Sequence, residues 1–70
     1  MKKKMLIEGM SCGHCVSHVV EVLEDIGAND IIVSLEEMSA TAEIKEDVTD
    51  EKIKAAIEDA GYDVVKIEEV

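Results

Sequence analysis

The sequence predicts an α+β fold, a βαββαβ sandwich in which two helices cover one face of a four-stranded antiparallel sheet. Three observations lead there. Short runs around Met5, Val33, Ala42 and Val65 alternate apolar residues as strands do; the stretches after Cys15 and after Thr49 repeat apolar residues at helical spacing; and Gly27 and Gly61 stand where a left-handed residue ends a helix. This order is the ferredoxin-like, or split βαβ, arrangement. With 70 residues, the chain is expected to form one domain spanning positions 1–70.

The first strand reads over residues 5–8, with Met5 and Ile7 on one face and Gly9-Met10-Ser11 leading out of it. A helix is predicted to begin near Cys15 and run to about Ile26, on the stripe Val16, Val19, Val20, Leu23 and Ile26. Residues 30–35 are rich in β-branched side chains and read as the second strand, with Ile31, Val33 and Leu35 on one side. Glu36-Glu37-Met38 makes a turn into a third strand whose inner face is Ala40, Ala42 and Ile44, so the two strands form a hairpin. Thr49 is an N-cap, Asp50 and Glu51 place negative charge in the first helical turn, and Val48 with Ile53 is spaced as a hydrophobic staple. The second helix is predicted over residues 50–60, burying Ile53, Ala56, Ile57 and Ala60. Residues 62–67 form the last strand, with Val65 and Ile67 directed inward.

Composition narrows the function. Tyr62 is the only aromatic residue, so the core is aliphatic. A net charge of −10 with no arginine weighs against nucleic acid, whose phosphates require cations. After Lys2-Lys3-Lys4 the apolar stretch of residues 5–7 is far too short for a signal peptide or a membrane span, which predicts a cytoplasmic protein without direct membrane insertion. A chain of this size has room for a binding site but hardly for an enclosed active-site pocket. No paired carboxylates or phosphate-cradling loop stand out, and no enzymatic activity is expected.

Both cysteines and both histidines fall within residues 9–20. Cys12 and Cys15 converge if the first lies in a turn and the second opens a helix, whose free N–H groups and positive dipole end stabilise a thiolate. In a reducing compartment such a pair binds metal or is transiently redox-active. Two thiolates suit a low-coordinate soft ion, Cu(I) above harder ions. Structural zinc normally takes four ligands, so Zn(II) would recruit His14, His18, an acidic residue or a second molecule. Cys12-Gly13-His14-Cys15 also matches the tetrapeptide of disulfide isomerases, but no tryptophan flanks it and the chain has no proline to supply the cis-proline of thioredoxin-like domains. Two small buried cysteines holding nothing is the remaining reading, against which the surrounding glycines and histidines argue. Met10 is assigned to the core rather than to the metal. His14 reads as a solvated loop residue and His18, near Glu21 and Asp25, as a surface residue; both are candidate additional nitrogen ligands.

Gly9-Met10-Ser11-Cys12-Gly13-His14-Cys15, followed by Val16 and the helical stripe, resembles the G-M-x-C-x-x-C motif of heavy-metal-associated domains. Gly61-Tyr62-Asp63-Val64 resembles the G-Y-x-V segment of bacterial copper chaperones, so the resemblance covers nearly the whole chain. It implies a Cu(I) chaperone in which Cys12 and Cys15 bind the ion, with Tyr62 and Met10 beside them. It further implies transfer by thiolate exchange to the metal-binding domain of a copper-transporting P-type ATPase, and in some members a metal-bridged homodimer. The alternative is a domain for Zn(II), Cd(II) or Hg(II), since related domains occur in mercury-binding proteins. The negative charge predicts a partner carrying a positive patch.

Overall fold

The computed structural model describes residues 1–11 and 13–70. Its elements are β1 (Lys2–Glu8), α1 (Gly13–Asp25), β2 (Asn29–Ser34), β3 (Ser39–Glu43), α2 (Asp50–Asp59) and β4 (Asp63–Glu69), which is the βαββαβ order. The strands form one antiparallel sheet in the order β2-β3-β1-β4. Met5 pairs with Ala40 across the two central strands, and on that same face Ile7, Ala42 and Ile44 are buried. Val19 and Leu23 of α1 and Ile53 and Ile57 of α2 join them in one aliphatic cluster. Alanine at the centre of β3 leaves room for the larger helix side chains to reach the sheet, as close packing demands.

The three lysines at the start of β1, to which the sequence reading assigned no partner, find carboxylates across the sheet. Lys2 stands opposite Glu43, Lys3 opposite Glu69 and Lys4 opposite Glu68, so opposite charges face each other on neighbouring strands. Lys3 also reaches Asp50 at the start of α2, and Lys4 Nζ lies 3.2 Å from Glu37. β1 is therefore longer at its N-terminal end than apolar alternation indicates.

Both helices end as the glycines predict. Gly27 N–H donates to the Glu24 carbonyl and Ala28 N–H to the Leu23 carbonyl; Gly61 N–H donates to Glu58 and Tyr62 N–H to Ile57. This is the Schellman pattern, with Gly27 and Gly61 in the left-handed conformation it requires. At the start of α2, Thr49 Oγ1 accepts from Lys52 N–H at 3.1 Å, and Val48 and Ile53 are both buried, as a cap and staple should be.

Three expectations need correction. Val65 is 59% exposed, whereas Val64 is 9% exposed and Ile67 packs on the core. Leu6 pairs with Lys66 but Ile7 pairs with Val64, so Val65 is the extra residue of a β-bulge and the alternation changes phase there. Leu35 is 37% exposed because β2 ends at Ser34, and residue 35 begins the turn. Finally, α1 begins at Gly13 rather than near Cys15, since a first helical turn needs no apolar residue to mark it.

Candidate metal centre

The candidate site is the corner between β1 and α1. Strand β1 stops at Glu8, and Gly9 turns the chain with φ +99°, a backbone region that side chains other than glycine rarely enter. Met10 then anchors the loop: it is 3% exposed and belongs to the core, as its assignment from sequence predicts. Cys12 lies outside the described residues. Gly13 opens α1, and Cys15 falls in its first turn, half-buried and packed against the core cluster. The Cys15 thiol donates weakly to the Gly9 carbonyl, with Sγ 4.0 Å from the oxygen.

The first turn of α1 contains no acidic residue. In a chain with net charge −10 this leaves the positive end of the helix to whatever negative group the loop presents. A thiolate in that turn gains from both the dipole and the N–H groups that the helix cannot satisfy internally. The thiolate is the form that binds soft cations, and this helix end offers it N–H groups once the thiol has lost its proton.

Tyr62 forms the other wall. Because it follows Gly61 in the helix-ending motif of α2, its backbone is fixed where β4 begins, and its side chain is only 9% exposed. A Cβ placed on Gly9 would stand 3.5 Å from Tyr62 Cδ1, an ordinary contact, so the ring faces this turn and it is φ rather than space that calls for glycine. The Tyr62 hydroxyl is 3.3 Å from His18 Nδ1. Nothing in the sequence signals this pair, whose members lie on elements that only the fold brings together.

Of the residues singled out from sequence, the structure brings Cys15, His18 and Tyr62 to one corner and places Met10 beneath them. His14 is exposed. Among the described residues no three Cys, His, Asp or Glu side chains are grouped to hold a metal ion. Among the same residues no helix is long and apolar enough to cross a membrane.

A ferredoxin-like sandwich with a thiol at the mouth of its first helix defines a class of small metal-handling domains. The heavy-metal-associated domain family matches residues 4–63, and this chain belongs to that family. It is 44% identical over 61 residues to the copper chaperone CopZ of Staphylococcus aureus, covering 84% of this chain and 90% of CopZ. It is 41% identical over 69 residues to the mercuric reductase of Lysinibacillus sphaericus, covering 99% of this chain but spanning only 13% of the reductase. Among solved structures, a CopZ metallochaperone superposes with a TM-score of 0.86 at 39% identity, over 93% of this chain and all of that one. A copper binding domain from HMA7, a P-type ATPase, gives a TM-score of 0.84 at 29% identity, over 97% of this chain and 99% of the other.

Proposed function

We propose that the chain is a cytoplasmic carrier of Cu(I) that holds the ion between the thiolates of Cys12 and Cys15. It hands the ion to the metal-binding domain of a copper-transporting P-type ATPase. The observation that carries this reading is the placement of Cys15 in an acid-free first turn of α1, at an open corner of the fold. Two soft donors there match a soft, low-coordinate ion, and the exposed surroundings leave an approach for a third thiolate from a partner. One metal–sulfur bond then forms as another breaks, so the ion changes owner without passing through water. The cargo is moved rather than transformed, which makes the chain a carrier and not an enzyme.

The likeness to an ATPase copper domain supports a partner of similar build, since two such corners can face each other across one ion. A second copy of this chain can do the same, giving a metal-bridged homodimer. Glu8 and Asp63, paired where β1 ends and β4 begins, are both exposed at this corner, which supports docking on a positive patch. Association should slow as salt is added; an on-rate indifferent to ionic strength would remove electrostatic steering.

The identity to a mercuric reductase favours a second reading, Hg(II) binding by the same two thiols. An anaerobic competition titration of the reduced protein with Cu(I), Zn(II) and Hg(II) separates the readings. Tight Cu(I) binding at no more than one ion per chain, lost in Cys12→Ser/Cys15→Ser, is the expected result. Unchanged Cu(I) binding in that double variant overturns the site. Tight zinc binding that needs His14 or His18 makes the protein a zinc module, and insulin reduction without metal makes it a thiol oxidoreductase.

A further inference from the structure

The structure wedges Tyr62 between the two ends of the stretch that carries the cysteines. On one side its ring faces Gly9, near enough that an added Cβ would be in ordinary contact with it, 3.5 Å from Cδ1. On the other its hydroxyl is 3.3 Å from His18 Nδ1, the phenol donating when that nitrogen carries no proton and accepting when it does. In the metal-free protein the Cys15 thiol also meets this turn, its Sγ 4.0 Å from the Gly9 carbonyl oxygen, a contact that ends when the thiol gives up its proton to bind a metal. Cys15 and His18 are three residues apart on one helix and therefore share a face.

We propose that His18 is a positioning residue of the metal loop: its imidazole holds the Tyr62 hydroxyl, and Tyr62 in turn keeps its ring over the turn at Gly9 from which the cysteine stretch leaves β1. The brace belongs to the metal-free protein, while its consequence for a bound ion rests on the carrier reading above. His18 is exposed, so its hydrogen bond adds little to global stability. Its effect falls on the local opening of the loop. For the turn at Gly9 to swing open, the Tyr62 ring must yield, and its bond to α1 opposes that motion. His18 thus slows release of the ion without touching it, which differs from the role of a nitrogen ligand.

The test follows Cu(I) release to excess chelator by stopped flow in the wild type, His18→Ala, His18→Asn, Tyr62→Phe and the double variant His18→Ala/Tyr62→Phe. Asparagine is informative because its amide places a polar atom at the same branch position as Nδ1. His18→Ala and Tyr62→Phe should each speed release about threefold to tenfold, the size expected for losing one hydrogen bond. The double variant should be no faster than either single one, and His18→Asn should stay near the wild type. A His18→Ala effect that persists in full on the Tyr62→Phe background assigns His18 as a ligand and overturns the brace. So does release from His18→Asn as fast as from His18→Ala, or no change in any variant.

Tyr62 is the only aromatic residue, so near-ultraviolet circular dichroism of the metal-free protein reads its packing alone. The signal should fall in His18→Ala and be kept in His18→Asn. If the wild type fails to retain Cu(I), the carrier reading is lost and this arm decides the brace: an unchanged signal in His18→Ala overturns it, and a reduced one upholds it.

Discussion

The two helices end alike and begin differently. Both close with the same glycine motif, at Gly27 and Gly61. At its start α2 satisfies itself, with Thr49 capping Lys52, Asp50 and Glu51 in the first turn, and Val48 closing over Ile53. The first turn of α1 has Gly13, His14 and Cys15 and no carboxylate. In α2 the positive helix end is matched by groups that only stabilise the fold; in α1 it is left to the chemistry of the cysteine loop. The difference separates structure from function within one small chain, and four substitutions probe it.

The largest expected effect lies at α2. Ile53→Ala removes a fully buried side chain and should lower unfolding stability by about 2–5 kcal/mol in urea denaturation. At temperatures where the variant is folded, Cu(I) affinity should be unchanged; a matching loss of affinity would mean that the two helix starts are not separable. Thr49→Ala comes next, with a loss of about 1 kcal/mol and again no effect on the ion. A negligible change there would show that Asp50 and Glu51 carry the helix end without the cap.

His14→Glu makes α1 resemble α2. A carboxylate in the first turn should raise the thermal midpoint slightly and weaken Cu(I) binding by about threefold to tenfold, because it competes with the thiolate for the same positive end. Opposite signs in stability and affinity are the signature; affinity that rises would make residue 14 a donor instead. The smallest effect is expected for Gly13→Ala. An added Cβ there meets nothing within 4 Å and sits in a helix, so stability should rise by about 0.4–1 kcal/mol with the ion bound as before. A loss of stability would show that residue 13 must keep glycine's freedom, as Gly9 does at φ +99°.

Much of the fold was legible in the sequence because the signals are local. Thr49, the staple of Val48 and Ile53, and the two terminal glycines act within a few residues of themselves, and Ala40, Ala42 and Ile44 declare their face by simple alternation. Val65 misled because alternation assumes an unbroken register, and the bulge is set by how β4 pairs with Leu6 and Ile7 of β1. The lysine run was opaque for a related reason: the carboxylates opposite it are contributed by β3 and β4. Of the candidate site, the cysteine motif and the buried role of Met10 could be read from the residues themselves, while Tyr62 was brought in only by the family resemblance. The contact between His18 and Tyr62 could not, since neither residue carries a local sign of the other.

From the sequence alone came the βαββαβ order, the aliphatic core, the helix caps and the confinement of both thiols to one short stretch, because each depends on periodicity or on neighbours along the chain. Tertiary structure alone decided the phase change at Val65, the pairing of Lys2, Lys3 and Lys4 with carboxylates, and the closure of Tyr62 on Gly9 and His18. Those features join residues distant in sequence, and their geometry exists only once the sheet register and the seating of the helices bring them within a few ångströms.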